Sequence, residues 1–288
     1  MWTKGRSASI RLGCQWTTTA DTVSITHGGK TLKLEHRKEV ASVLRNNLRQ
    51  QRDADLLRKP DQGKTFHLIS ADPVSSHFLK DGKFTAFADW RFIHRARLNL
   101  LPLNAARRGQ SGDRRCRRCG RHDETLPHVV NHCLRHMPTV TKRHNEIVDR
   151  IKDSALFLNW SVLSENQPLP HSNLTARPDL VLTKGEEALI VDVTCPFENG
   201  ERAFEEAREE KISKYQDVAR FLRGTYRKVS VEPFIVGSLG SYDPKNQSLT
   251  RRIATKAYTK TMKKLCVSSS IKWSRMIYIE HITGTRQY

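Results

Sequence analysis

Five residues between positions 116 and 133 have the types and spacing of a metal site. Cys116, Cys119, His128 and Cys133 follow the pattern Cys-x2-Cys-x8-His-x4-Cys and offer three thiolates and one imidazole. Such a set completes the tetrahedral shell of structural Zn²⁺ and leaves no position open for a catalytic water. His132 lies one helical turn after His128 and is the alternative to Cys133. We therefore predict a zinc knuckle that folds its segment and positions nucleic acid.

Two aspartates in the C-terminal half of the chain are candidates for a second metal site. Arg177-Pro178-Asp179 opens one predicted strand and Asp192-Val193-Thr194 ends the next, so an antiparallel hairpin brings the carboxylates of Asp179 and Asp192 towards each other. Carboxylate oxygens are ligands of Mg²⁺, which activates water and stabilises charge on a scissile phosphate. Asp192 follows an apolar strand, and a charge beside a core needs a partner or a metal. The alternative is two solvent-facing acids at strand ends.

A basic helical face follows the second aspartate. Lys211, Lys214 and Tyr215 lie within one turn of a predicted helix and share a face. An ammonium group there can orient the attacking water or stabilise the charge of a transition state. The sequence leaves open which lysine has this role. It also leaves open an ordinary solvated helix face, because Glu205-Glu206 and Glu209-Glu210 precede these residues on the helix.

The elements that must position these residues form a small α/β core. Hydrophobic periodicity predicts strands at 180–182, 188–193 and 229–236, and helices at 138–160, 201–222 and 249–266. Further upstream it predicts a hairpin arm within 1–34 that turns at Gly28-Gly29, and helices at 35–57, from about 76, and at 84–101. The fold class is therefore α/β (α+β), with four predicted segments. They are a basic, mainly helical arm (1–112), the zinc knuckle (113–137), a connecting helix (138–168) and the C-terminal domain (169–288).

The charge of the chain indicates a polyanionic partner. Fifty Lys and Arg against thirty Asp and Glu give a net charge of +20 at pH 7, which nucleic acid would neutralise. Guanidinium groups match phosphate oxygens well. In the helix at 84–101, aromatic and basic residues alternate, a mix that can stack on bases while pairing with phosphates. The other interpretation, which we favour, is that Phe87, Trp90 and Leu98 form a helix core. The predicted phosphate contacts are Arg91, Arg95, Arg97, Arg107, Arg108, Arg114, Arg115, Arg117, Arg118 and Arg121.

These motifs in this order resemble a known family. The Cys-Cys-His-Cys knuckle, Arg-Pro-Asp at 177–179, Asp-Val-Thr-Cys-Pro-Phe-Glu at 192–198 and Lys-Ile-Ser-Lys-Tyr at 211–215 look like the C-terminal region of the polyprotein of site-specific non-LTR (LINE-like) retrotransposons. The likeness runs from about residue 84 to the end. It implies a restriction-like endonuclease domain of the PD-(D/E)XK type that nicks DNA in the presence of Mg²⁺, and a knuckle that binds DNA and also element RNA.

The resemblance implies roles for particular residues. Asp179 and Asp192 would bind Mg²⁺, and the lysine expected two residues after the second acid is Thr194 here, a departure that the family shares. The lysine role would pass to Lys211 or Lys214, with Tyr215 in support, and Glu146 is a weak candidate for a further acid. The paired aspartates of the family's polymerase are missing, so we expect a fragment or a host-retained remnant that does not polymerise.

The sequence leaves three functions open. The leading one is a Mg²⁺-dependent DNA endonuclease, the second is a catalytically inactive nucleic-acid-binding remnant, and the third is a zinc-stabilised protein that binds acidic partners. Neither a signal peptide nor an apolar run of membrane-spanning length is found. We therefore expect no membrane association and a location in the nucleus rather than a secretory compartment. The oligomeric state does not follow from the sequence.

Overall fold

The architecture comes from a computed structural model that describes residues 2–33, 37–106 and 112–287. The predicted phosphate contacts Arg107 and Arg108 lie outside the described residues. The chain divides into two compact units, Met1–Lys59 and Pro60–Tyr288. The predicted division into four segments is not tested by this and stays a prediction.

The first unit is a three-stranded antiparallel sheet between two helices in sequence. Its elements are α1 (Trp2–Arg11), β1 (Gln15–Thr18), β2 (Val23–His27), β3 (Lys30–Lys33) and α2 (Arg37–Leu57). His27 pairs with Lys30, and the two glycines between them both have positive φ. This is the backbone of a type I′ hairpin turn, which glycine adopts without strain. The predicted hairpin and the helix after it are therefore confirmed.

The second unit begins with helices that the sequence predicted only in part. They are α3 (Gln62–Ser70), a 3₁₀ turn (Pro73–Ser76), α4 (Phe78–Asp81) and α5 (Phe87–Arg97). The helix predicted over 84–101 is shorter than expected because Phe84 and Asn99 both have positive φ, a conformation incompatible with a continuing helix. Helix α3 was not predicted from the sequence.

A four-stranded mixed sheet forms the centre of the second unit. Its strands are β4 (Ser161–Glu165), β5 (Leu180–Lys184), β6 (Glu187–Thr194) and β7 (Lys228–Ile235), in that spatial order. The β4/β5 and β5/β6 pairs are antiparallel and β6/β7 is parallel. The parallel pair needs a crossover, which α7 (Glu201–Lys214) and α8 (Gln216–Leu222) provide. The α+β fold class is thus confirmed, and β4 is an addition to the predicted strands.

The two faces of the sheet are both covered, as the near-continuous apolar runs of β5 and β6 require. Leu180, Leu189 and Val191 pack on the side of α6 (Met137–Phe157) and the C-terminal helix. The alternate positions, such as Ile190, pack against α8. Because side chains alternate along a strand, Asp192 follows Ile190 onto the α8 side.

The C-terminal part of the chain contains two helices where one was predicted over 249–266. The first, α9 (Gln247–Ile253), ends before Ala254, which has an extended backbone. Thr255 then caps α10 (Lys256–Thr283) by accepting a hydrogen bond from the backbone of Tyr258, a common N-terminal arrangement. Among the described helices, none is long and apolar enough to cross a membrane.

Candidate functional site

The four predicted zinc ligands come together in the structure. The ligand atoms of Cys116, Cys119, His128 and Cys133 all lie within 4.8 Å of one another. Cys116 Sγ is 3.9 Å from Cys133 Sγ, and Cys119 Sγ is 3.4 Å from His128 Nε2. Three sulfurs and one imidazole nitrogen at such distances fit a metal such as zinc.

Local backbone structure brings these ligands together. The amide of Gly120 donates to the carbonyl of Cys116 at 2.8 Å, and Gly120 has a φ of +66°. Glycine enters this left-handed region without steric cost, which permits the tight turn between the two cysteines. His128 begins a π-helical turn, and the amide of Cys133 closes that turn on the His128 carbonyl at 2.7 Å.

Cys133, rather than His132, completes the cluster. The thiol of Cys133 is fully buried among the other ligand atoms, whereas His132 is exposed and belongs to neither of the His, Cys and acidic clusters found among the described residues. The π turn that begins at His128 contains one residue more than an α-helical turn. His132 and Cys133 are consecutive residues, and consecutive side chains of a helix point in different directions. Only the side chain of Cys133 therefore reaches the other ligands.

The thiols of the cluster differ in their readiness to ionise. Burial raises the pKa of Cys133 to about 12. Burial acts in the same direction on Cys119, but hydrogen bonds from the backbone amides of Arg121 and His122 outweigh it and lower the pKa of that thiol. Thiolates are the metal-binding form, so metal binding at this cluster is expected to release protons.

The knuckle is fixed to the C-terminal helix through a buried carboxylate. Glu124 accepts hydrogen bonds from the Arg117 guanidinium at 2.7 Å and from His281 Nε2 at 2.8 Å. Arg118 donates to the carbonyls of His281 and Ile282, at the end of α10, at 2.6 and 2.9 Å. Arginine at this place satisfies carbonyls that the helix leaves unpaired. Arg118 therefore holds the knuckle on α10 directly and Arg117 does so through Glu124, and the predicted phosphate contacts of both arginines stay predictions.

The two aspartates of the second candidate site lie at adjoining positions of the β5/β6 hairpin. Leu180 pairs with Val191. Asp179 and Asp192 therefore occupy the next pair of positions, one step further from the turn of the hairpin. Asp179 Oδ2 accepts a hydrogen bond from the backbone amide of Val193 at 2.7 Å. The carboxylate of Asp179 thus touches β6 directly after Asp192, as the predicted hairpin requires.

Asp192 is buried and has two specific partners. Its Oδ1 accepts a hydrogen bond from the hydroxyl of Tyr215, and its Oδ2 lies 3.0 Å from Lys211 Nζ. Tyr215 is fully buried, and burial followed by the contact with Asp192 raises the pKa of its phenol well above the ordinary value. Lys214 is exposed, and its Nζ lies 4.8 Å from the centre of the Tyr215 ring. The structure therefore separates the two lysines: Lys211 reaches Asp192, and Lys214 lies outside.

A histidine that the sequence analysis did not select completes this site. His144 Nε2, on α6, lies 2.9 Å from Asp179 Oδ2 and 3.1 Å from the Val193 carbonyl. Burial alone would lower the pKa of His144, but the contact with Asp179 outweighs it and the pKa is raised. Nothing in the local sequence of α6 distinguishes this histidine, since the pairing with Asp179 arises only when α6 packs across the sheet.

Glu146, the weak candidate for a further acid, faces away from the aspartates. Its carboxylate accepts hydrogen bonds from Ser269 at 2.6 Å and from the Trp273 indole, both on α10. Lys272 lies 3.5 Å from the same carboxylate. The expectation that Glu146 joins the metal-binding acids is therefore wrong, because its side chain points from α6 to α10.

The predicted phosphate contacts divide into buried and exposed arginines. Arg97 is 5% exposed, and its guanidinium donates to the carbonyls of Leu239 at 2.8 Å and Ser75 at 2.7 Å. Burial lowers its pKa to about 10, so it stays charged at neutral pH. The prediction that Arg97 contacts phosphate is wrong. Arg114 pairs with Asp123 at the surface. Exposed residues are Arg91, Arg95, Arg114, Arg115, Arg117 and Arg121.

Comparisons with known proteins agree with the resemblance seen in the motifs. The chain is 26% identical over 204 residues to a Retrovirus-related Pol polyprotein from type-1 retrotransposable element R2 of Popillia japonica, which covers 69% of this chain and 42% of the relative. A second such polyprotein of Popillia japonica is 27% identical over 228 residues, covering 75% and 30%. One of Nasonia vitripennis is 30% identical over 175 residues, covering 56% and 16%. No family model matches the chain.

The chain spans less than half the length of each of these curated relatives. Its similarity to them confirms the resemblance to a polyprotein region of a non-LTR retrotransposon.

Proposed function

We propose that this chain, similar to part of a retrotransposon Pol polyprotein, is a Mg²⁺-dependent DNA endonuclease with a restriction-like core and a zinc knuckle that assists nucleic-acid binding. The observation that carries the proposal is that Asp179 and Asp192 directly follow the last paired positions, Leu180 and Val191, at one end of the β5/β6 hairpin, with Lys211 on the second acid. Such a group of two acids and an ammonium suits phosphodiester hydrolysis. We also expect the chain to act in the nucleus.

The donor set at the hairpin fits Mg²⁺. Asp179 and Asp192 present carboxylate oxygens, the hard ligands that this cation prefers. Within the described part of the chain, Asp179 Oδ1 makes no hydrogen bond, while Oδ2 is held by His144 and Val193. A bound Mg²⁺ would supply charge stabilisation at the scissile phosphate and an activated water.

The residues around the two acids have separate tasks in this proposal. His144 and the amide of Val193 fix the carboxylate of Asp179. Tyr215 fixes one oxygen of Asp192 on the α8 side of the sheet. Lys211 lies beside the remaining oxygen, where its ammonium stabilises negative charge in a partly dehydrated site. The acids are thus oriented before substrate binds, which lowers the cost of reorganisation during the reaction.

The knuckle and the exposed arginines would position the nucleic acid. Arg115 and Arg121 belong to the knuckle, and Arg91 and Arg95 are exposed on α5. Phosphate contacts by such residues release counterions and give affinity that falls steeply with salt. We propose DNA as the substrate and DNA together with element RNA as the ligands of this surface.

A nicking assay on supercoiled plasmid tests the proposal. Wild-type protein is compared with Asp179→Asn and Asp192→Asn, and with Asp217→Asn as a control, because Asp217 is an exposed acid of α8. The Mg²⁺-free arm omits the cation and avoids a chelator, which would also remove zinc. We expect Mg²⁺-dependent nicking by the wild type and the control, and none by the two variants at the hairpin.

Other outcomes have defined meanings. Nicking by the Asp192→Asn protein at the wild-type rate would reject the assignment. Salt-dependent DNA binding by a wild type that does not nick would leave the inactive nucleic-acid-binding remnant as the function. Binding of acidic proteins that DNA does not compete would favour the third alternative, a zinc-stabilised interaction protein.

A further inference from the structure

Three aromatic rings are stacked along one side of α5. The ring centres of Phe87 and Trp90 are 5.6 Å apart with planes 9° from parallel, and those of Trp90 and His94 are also 5.6 Å apart, at 8°. The three residues are three and four positions apart, the spacing that places side chains on one helical face. The rings therefore form one continuous stack, which we call the α5 ring stack.

The α5 ring stack ends in solvent. Phe87 is 71% exposed, and His94 is exposed, whereas Trp90 between them is half-buried and packs partly against the core. The prediction that Phe87 lies in a helix core is therefore wrong. The Phe87 ring stacks on Trp90, and its high exposure leaves the rest of the ring accessible to solvent. A fixed aromatic ring with an open face has the geometry for stacking with another flat ring.

Two arginines follow the stack along the same helix. Arg91 and Arg95 are four positions apart and both exposed, and neither has an acidic partner among the residues that the structure describes. The acid of this helix, Asp89, is buried and paired with Arg275 on α10. The exposed side of α5 therefore combines open rings with uncompensated positive charge.

We propose that the α5 ring stack is a binding platform for single-stranded nucleic acid, with an unpaired base on Phe87 and the adjacent phosphates on Arg91 and Arg95. Unpaired bases offer ring faces, and stacking on aromatic side chains next to cations is the usual physical basis of single-strand binding. Duplex DNA presents phosphates to the arginines but keeps its ring faces inside the helix. The platform is separate from the hairpin acids, so the proposal stands whether or not the chain cuts DNA.

Fluorescence anisotropy with short labelled strands tests the platform. The probes are unstructured oligo(dT) and oligo(U) of about 15 nucleotides and a DNA duplex of the same length, all without Mg²⁺ so that no cutting occurs. We expect Phe87→Ala to weaken single-strand binding about five- to tenfold and to leave duplex binding unchanged. Phe87→Tyr keeps the ring and is expected to bind like the wild type. The control is Phe157→Ala, because Phe157 is 78% exposed on α6.

The salt dependence separates the ring from the arginines. Stacking releases no counterions, so Phe87→Ala is expected to keep the wild-type slope of log affinity against log salt. Arg91→Ala is expected to reduce that slope by about 0.7 on single strands. The proposal is overturned if Phe87→Ala leaves single-strand affinity unchanged, as it would if this face packs against another protein segment. An equal loss on duplex and single strand would overturn it too. The oligo(dT) and oligo(U) arms show whether DNA or RNA is preferred.

Discussion

Lys211 Nζ lies 3.0 Å from Asp192 Oδ2, and the side chains are 18% and 5% exposed. Lys214, on the same helix, is exposed, and its Nζ lies 4.8 Å from the centre of the Tyr215 ring. A charge pair is stronger where water is excluded. The sequence could not choose between the two lysines, and the geometry assigns the contact with the acid to Lys211.

Replacing the two lysines in turn should therefore have unequal effects. We expect Lys211→Met to lower the nicking rate about 100-fold, the usual loss for a group that stabilises transition-state charge. Lys214→Met should leave the rate close to that of the wild type. The measurement is the initial rate of plasmid nicking, with circular dichroism to check folding. Equal losses in both variants would contradict the assignment.

Zinc content should depend on Cys133 and not on its neighbour. We expect Cys133→Ala to lose bound zinc and to unfold at a lower temperature, because the metal contributes directly to the folding of such segments. His132→Ala is the matched control and should retain the metal, since His132 is exposed outside the cluster. Atomic absorption on purified protein gives the zinc content. Loss of zinc in the His132 variant would show that the histidine is a ligand.

Replacing two arginines of α5 in turn should have different effects on the stability of the protein. Arg97→Ala removes a buried guanidinium that satisfies carbonyls of Ser75 and Leu239, so we expect the free energy of unfolding to fall by more than about 3 kcal/mol. Arg91→Ala should change it by less than about 0.5 kcal/mol, because Arg91 is exposed. Urea denaturation measures both. If Arg97→Ala were stable but bound DNA more weakly, this result would support the phosphate contact predicted from the sequence.

The stability contributed by Glu146 should depend on pH. Burial alone would raise the pKa of Glu146, but hydrogen bonds from Ser269 and Trp273, with Lys272 and Arg150 nearby, lower it below 4.5. A carboxyl whose pKa is lower in the folded state stabilises the fold above its unfolded pKa, and this contribution is lost as pH falls through the folded pKa. We expect Glu146→Gln to lower the free energy of unfolding by about 1–2 kcal/mol at neutral pH.

The same variant also tests the position of Glu146 relative to the hairpin acids. The stability difference from the wild type should shrink below about pH 4.5, as measured by urea denaturation across pH. Nicking at neutral pH should persist, because Glu146 faces α10. If the folded Glu146→Gln protein lost as much nicking activity as Asp192→Asn, Glu146 would have to be assigned to the metal site.

The strands around the hairpin could be predicted because each carries a local signal. Two short apolar runs that favour strands are Leu180-Val181-Leu182 and the run before Asp192. A turn at Gly185, which has a φ of +55°, separates them. The spacing of a hairpin then fixes which residues face each other. Helix ends were less predictable, because Phe84 and Asn99 adopt positive φ without a glycine.

The sequence by itself determined the zinc ligand types, the hairpin that has Asp179 and Asp192 at one end and the strong positive charge, because these depend on composition and on short spacings. Only the tertiary structure decided that His144 meets Asp179, that Lys211 reaches Asp192, and that Arg97 is buried while Phe87 is exposed. These contacts join elements distant in the chain, and their partners are set by how helices pack across the sheet. Periodicity gives a residue its helical face, and packing decides what that face meets.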